Sequence, residues 1–168
     1  MKPSLLPPAP HREGKAAAGW QLLDRQLCFA LYAASLAMTK LYKPLLEPLK
    51  LTYPQYLALL VLWERDGLGV GELGDRLGLD SGTLTPLLKR MQTAGLLQRD
   101  RAADDERRVI IKLTPAGRAM KREARAIPVQ LAASTRCSHD EMQDLTQRLQ
   151  ALRQQLQTAL DDAESAAH

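Results

Sequence analysis

Residues 72–91 read ELGDRLGLDSGTLTPLLKRM. Leu73 and Leu77 lie four apart and make one apolar face of a short helix. Gly78 and Leu79 turn the chain. Asp80 or Ser81 can cap a second helix, whose Leu84, Leu87, Leu88 and Met91 recur at helical spacing. The opposite side carries Ser81, Gly82, Thr83, Thr85, Pro86, Lys89 and Arg90. Small hydroxyls at the leading end and cations further along suit a helix that enters a DNA major groove by its N-terminus. The helix dipole adds partial positive charge at that end. Lys89 and Arg90 are placed for phosphate rather than base edges. Pro86 forgoes a bond to the carbonyl of Gly82, whose missing side chain eases a bend. The competing reading is an ordinary helical hairpin with a solvated face.

Downstream sequence favours the DNA reading. After Gly95 the period changes, and residues 96–99 (LLQR) and 108–113 (RVIIKL) have the alternation and β-branching of strands. The intervening DRAADDER (100–107) is too polar for a core. Two strands with a charged loop, directly after a helix-turn-helix, make a wing. Between residues 80 and 125 eleven Lys or Arg face six acids, a surplus of five. The whole chain is only +4, so positive charge is concentrated where DNA would lie. Arg107 is the wing residue suited to a narrow minor groove, with Asp105 to orient it. A plain surface ion pair is the alternative for that couple.

Upstream, residues 1–18 hold four of the ten prolines and read as a disordered tail. A helical pattern runs from Trp20 to Leu46, with Pro44 expected to end or bend it and Pro48 confirming the break. Thr52, Pro54 and Gln55 open the next helix with a capping box. Thr114 begins a helix expected to reach about Ala126, and Pro128 interrupts it. Ser138 and Glu141 cap a last helix in which Leu145, Leu149, Leu152, Leu156 and Leu160 form a helix-helix seam. Its end, after Asp161, is expected to fray. The expected architecture is mainly α with a small β-wing: a winged helix-turn-helix, dimerised through its N- and C-terminal helices. The corresponding divisions are a tail (1–18), a dimerisation and sensor helix (19–50), a DNA-binding domain (51–126) and a C-terminal dimerisation helix with tail (127–168).

The chain has 168 residues, 45% of them apolar, with one Phe and two Trp, so its core is mostly Leu and Ala. Two cysteines are too few for a disulfide scaffold. Without a leader-like or membrane-length apolar run, a cytoplasmic protein with reduced thiols is expected. The three histidines are scattered, and no phosphate loop or Ser/His/Asp set stands out. Neither metal nor cofactor is expected.

The segment DERRVIIKLT (105–114) resembles the D-x-R-x-x-x-x-x-L-T wing signature of the MarR family of winged-helix regulators. Four further blocks, QLCFALYAAS (26–35), MTKLYKPLL (38–46), LTYPQYLAL (51–59) and LDSGTLTP (79–86), are similar to the organic-hydroperoxide-sensing repressors of that family (OhrR type). The resemblance implies a homodimer on palindromic operator DNA, an organic hydroperoxide as effector, and control of a hydroperoxide reductase gene. It implies Cys28 as redox sensor, with Tyr42 and Tyr53 bonding the sensor sulfur and Tyr32 nearby. Cys137 falls where two-cysteine members carry the resolving cysteine of the other subunit. Gly69 and Gly71 depart from the family pattern, where a better helix start is common. From residues alone, a cysteine in a helix is as readily a small buried hydrophobe. Tyr42 and Tyr53 flank the loop between Pro44 and Pro54, so they can approach one another. Two other functions stay open: a MarR-type regulator of an aromatic small molecule, with Cys28 incidental, and a thiol peroxidase.

Overall fold

The computed structural model describes residues 22–102, 107–135 and 137–167. The expected disordered tail and Asp105 lie outside the described residues. The chain divides into two compact units, Met1–Lys40 and Leu41–His168. In the first, a 3-10 turn at Leu23–Arg25 leads into helix α1, Leu27–Leu46, which runs on into the second. Leu22, Leu23, Leu27, Tyr32 and Leu36 of the first unit are all exposed.

The second unit continues with α2 (Tyr53–Glu64), β1 (Leu68–Gly69), α3 (Val70–Leu77), α4 (Ser81–Thr93), β2 (Leu97–Arg101), β3 (Val109–Leu113), α5 (Pro115–Glu123), α6 (Ile127–Thr135) and α7 (His139–Ala166). This is the mainly helical, winged helix-turn-helix order that the sequence predicts. Local chemistry sets most of the helix starts. The Gln55 side chain accepts the Thr52 N–H at 2.8 Å, and Thr114 Oγ1 accepts the Gly117 N–H at 3.0 Å. At α7 the box is reciprocal: Glu141 accepts from the Ser138 N–H at 2.8 Å and Ser138 Oγ from the Glu141 N–H at 3.2 Å.

Several boundaries differ from expectation: α5 ends at Glu123, a 3-10 turn at Ala124–Ala126 follows, and Pro128 falls in the first turn of α6 rather than interrupting a helix. Pro44 does not end α1, which continues to Leu46 as the helical pattern predicts. So near the helix end the proline forfeits one ladder bond, and Leu46 is anchored in the core at 1% exposure. α7 does not fray after Asp161 but runs to Ala166. Asp161 accepts from Gln157 and, through its carbonyl, from Ser165 Oγ at 2.9 Å each. Ala159, Ala163 and Ala166 add helix propensity. The strands start one residue later than expected, and β2 runs two residues further, to Arg101. The wing sheet also has a third strand, in the order β1-β3-β2, all antiparallel.

Ile111 sits at the centre of that sheet, opposite Leu68 on one side and Arg99 on the other. With Leu59, Leu73, Leu88 and Met91 it is wholly buried. Each such side chain contributes about 1.5–3 kcal/mol through burial. Among the described residues no helix is long and apolar enough to cross a membrane.

The base of the wing is tied by backbone contacts. Thr114 donates its N–H to the Leu96 carbonyl at 3.1 Å and its hydroxyl to the Gly95 carbonyl at 2.6 Å. Gly117 is pressed on the same Leu96 carbonyl, and a Cβ there would collide with it. Asp66 closes the other side, accepting the Leu113 N–H at 2.8 Å and pairing with Arg118 at 2.7 Å. Neither backbone at Gly117 can yield without loosening β2 or α5. Gly117→Ala is therefore expected to destabilise the protein by about 3 kcal/mol in urea unfolding at fixed protein concentration. A loss under about 0.5 kcal/mol would show that the contact has slack.

Candidate nucleic-acid interface and redox site

α3 and α4 form the helix-turn-helix. Gly78 ends α3 in the left-handed conformation at φ 66°, and the Leu79 N–H returns to the Gly74 carbonyl at 3.0 Å. A Cβ on Gly74 would crowd the Leu79 carbonyl at 2.9 Å, so the tight turn needs glycine there. Gly69 is the cap of α3, where the Glu72 side chain accepts its N–H at 2.9 Å. The departure at this position is thus offset by a side chain inside the helix.

Asp80, not Ser81, caps α4. Its carboxylate accepts the Thr83 N–H at 2.9 Å and the Thr83 hydroxyl at 2.8 Å. These bonds, the backbone one foremost, hold the Asp80 carboxyl below its usual range. Leu84, Leu87, Leu88 and Met91 are buried, which fixes the opposite face outward. Ser81, Gly82, Thr83, Pro86, Lys89 and Arg90 are exposed on that face, and Thr85 is half-buried at its edge. Pro86 lies inside α4 without ending it. The Thr83 hydroxyl is engaged with Asp80, so Ser81 is the hydroxyl at this end with no such engagement to Asp80.

In the wing, Lys112 pairs with Asp100 at 3.2 Å, and the Ala102 N–H reaches the Arg108 carbonyl at 2.8 Å. Arg101, Arg107 and Arg108 are exposed. Arg107 borders residues 103–106, which lie outside the described residues together with its expected orienting partner Asp105. The exposed faces of α4 and the wing thus carry Lys89, Arg90, Arg101, Arg107, Arg108 and Lys112, the arrangement phosphate contact requires.

The expected redox residues divide between the units. Cys28 and Tyr32 belong to the first, one turn apart on α1, and both are exposed. Cys137 belongs to the second, exposed just before the Ser138 cap of α7, with its thiol 3.5 Å from the Thr135 carbonyl. Tyr42 and Tyr53 are brought together, stacked with centroids 4.5 Å apart. Tyr56 completes the group, tilted 5.7 Å from Tyr42. Its spacing of three from Tyr53 puts both on one face of α2, the one signal in the sequence that a third tyrosine belongs here.

Burial, and then the neighbouring Tyr53 and Tyr56, push the Tyr42 phenol up to about 12. Burial also raises Tyr53 and Tyr56. Three phenols held neutral are hydrogen-bond donors, able to stabilise a thiolate or a peroxide oxygen. Tyr56 also floors a cavity of about 890 Å³ with Leu60 and Trp63, rimmed by Arg118, Lys121, Arg122 and Arg125. A smaller groove of about 380 Å³ beside Tyr42 is lined by Leu131, His139, Met142 and Thr146. Among the described residues no three His, Cys, Asp or Glu side chains are grouped to hold a metal.

The raised Tyr42 value has a signed consequence. Between the ordinary phenol value of 10.0 and about 12 the unfolded chain gives up this proton and the folded one keeps it. Stability conferred by the neutral phenol is whole below pH 10.0 and is lost as pH rises to about 12. Phenolate absorbance titration should show a late step that Tyr42→Phe removes. The same set of steps in both proteins would rule out the raised value.

Comparison with known proteins agrees with this geometry. The family model described as transcriptional regulator SarA/Rot matches residues 40–124, half of the chain, across the helix-turn-helix and wing. The chain is 51% identical over 130 residues to the organic hydroperoxide resistance transcriptional regulator of Bacillus subtilis (strain 168), covering 77% of this chain and 88% of that protein. Two solved structures of AbfR, a protein of Staphylococcus epidermidis, are similar at 33% identity. Reduced AbfR bound to DNA matches with a TM-score of 0.70 over 82% of this chain and 94% of that one. Disulfide-formed AbfR matches at 0.57, over 83% and 98%. Fold, wing signature and identity agree, and the chain belongs to the MarR family of winged-helix transcriptional regulators, in its organic-hydroperoxide (OhrR-type) branch.

Proposed function

We propose that this chain is a cytoplasmic, homodimeric repressor that holds palindromic operator DNA while reduced and releases it when Cys28 is oxidised by an organic hydroperoxide. The observation that carries the reading is the Tyr42–Tyr53 stack, 4.5 Å apart, in a chain with an exposed cysteine on α1. Neutral phenols supply the donors that a reactive sulfur needs. In the division of labour we propose, residues 1–18 are a tail, 19–50 the sensor and dimerisation helix, 51–126 the DNA-binding domain, and 127–168 the second dimerisation element. The exposed Leu27, Leu36, Leu145, Leu149, Leu156 and Leu160 support pairing through α1 and α7.

The chemistry is a thiolate attack. Cys28 sulfur takes the outer peroxide oxygen, the O–O bond breaks, and the alkoxide leaves as an alcohol after taking up a proton. The product is Cys28 sulfenic acid. The Cys137 thiol of the other subunit then displaces the hydroxyl as water and forms a disulfide. Cellular thiol reductants return both sulfurs to thiols. Tyr42 and Tyr53 donate to the sensor sulfur, and Tyr32 lines its surroundings. A disulfide fixes the two sulfurs about 2 Å apart, so forming it displaces the helices that carry them.

On DNA, α4 enters the major groove with Ser81, Gly82, Thr83, Thr85 and Pro86 at its leading end. Lys89 and Arg90 meet phosphates. Arg107, oriented by Asp105, reaches the minor groove. In keeping with this reading, the chain is similar to an organic hydroperoxide resistance regulator and to AbfR, solved reduced on DNA and as a disulfide.

A second reading has its own support. The aromatic floor and cationic rim of the 890 Å³ cavity suit an aromatic carboxylate, which would make Cys28 incidental. A gel shift separates the two. Cumene hydroperoxide should release DNA from the wild-type protein and leave Cys28→Ser bound, and Cys137→Ser should form no linked dimer on non-reducing gels. Release from Cys28→Ser by peroxide would sink the redox reading, and release from it by an aromatic carboxylate would favour the second.

A further inference from the structure

The aromatic face of α2 does not stop at the tyrosines. Tyr53, Tyr56 and Trp63 follow at spacings of three and seven, on one side of the helix. The Tyr56 ring meets Trp63 edge-on, with centroids 6.2 Å apart at 70°. An edge-on contact orients one ring against the other. Beyond it the Trp63 indole N–H donates to the Gly117 carbonyl at 2.9 Å. Lys121 ties the same end of α2 to α5, donating to the Trp63 carbonyl at 3.1 Å.

Gly117 is where α5 has no slack. Its Cα lies against the Leu96 carbonyl, which also accepts from Thr114. Leu96 is the residue before β2. The path from Tyr53 through Tyr42, Tyr56, Trp63 and Gly117 to the root of the wing is therefore one of ring contacts and backbone contacts. On it the Trp63 side chain hands over from the ring contacts to the Gly117 backbone through a hydrogen bond, which is either made or broken, whereas Lys121 bonds only the Trp63 carbonyl and takes no part in the ring contacts. Gly117 lies within α5, whose helical ladder already uses its carbonyl. Loss of the indole donor thus leaves no orphaned acceptor.

We infer that Trp63 is a positioning residue for DNA release: its hydrogen bond to Gly117 carries the arrangement of the tyrosine stack to the root of the wing. The inference rests on the redox reading proposed above. It adds that oxidation and DNA release are separable steps, joined through this indole. Phe at position 63 keeps a ring against Tyr56 but has no N–H to give.

The test uses a duplex selected from a random library by the reduced wild-type protein, with cumene hydroperoxide as oxidant. Wild-type affinity should fall about tenfold or more on oxidation. Reduced Trp63→Phe should bind within about threefold of wild type, and its oxidised form should bind within about threefold of its reduced form. Mass spectrometry should find Cys28 oxidised equally in both. A Trp63→Phe protein that releases DNA as wild type does would overturn the inference, as would one whose reduced form has already lost the duplex. A wild-type protein that keeps DNA after oxidation would bring down the redox reading and this inference with it. The chain has two tryptophans, so Trp20→Phe leaves Trp63 as the reporter if Trp63→Phe does not fold. Its emission maximum should move on oxidation and stay put when Cys28→Ser is added. Unchanged emission in the oxidised protein would equally overturn the inference.

Discussion

Two stretches of backbone, Gly117 on α5 and the Leu96 carbonyl before β2, lie in direct contact, with no room for a side chain between them. Much of the DNA-binding unit is referenced to that contact. Thr114 bonds across it, Asp66 pins the end of β3 beside it, and Trp63 reaches its far side. Interiors this closely packed transmit displacement rather than absorb it. A wing mounted on such a joint moves with α5 or not at all. This is why a protein with a core of ordinary leucines can present a β-hairpin in a defined place.

The Tyr42–Tyr53 stack and the cations of α4 and the wing sit on different elements of this frame. Tyr42, Tyr53 and Tyr56 are packed and neutral, with the Tyr42 phenol raised to about 12. Cations gather on α4, the wing and α5. The separation suits the proposed division between an input at sulfur and an output of phosphate contacts. The proposed pairing of two readers would use the exposed leucines on α1 and α7. Two readers on a fixed spacing gain the affinity of both half-sites, and lose much of it when the spacing changes.

Legibility in the sequence followed the range of the physics. Caps at Thr52, Thr114 and Ser138 are interactions between residues three apart and could be read directly, while at α4 the sequence left Asp80 and Ser81 as alternatives that the structure decides for Asp80. The faces of α4 and α7 follow from periodicity. The tyrosine pair was legible because two prolines bracket the loop between its members. By contrast, β1 is two residues long and exists through its pairing with β3, 41 or more residues away in sequence. Asp66 and Trp63 act on partners 47 and 54 residues distant, with no local pattern to betray them. Pro44 does not end α1, because its local penalty is small beside the burial of Leu46 two residues on. Tyr56 lies in the core, and its part in the stack needed the fold of α1 onto α2 within the second unit.

The central claim is that oxidation changes the spacing between two recognition helices. Thioether-linked spin labels on Gln92→Cys of α4, in a protein whose Cys28 and Cys137 are both reversibly masked during labelling and then freed, allow pulsed dipolar distance measurement across the dimer. The reduced protein on DNA should give one narrow distribution consistent with half-sites about 34 Å apart. Oxidation should shift that distribution or broaden it. Identical distributions in the two states would contradict the account.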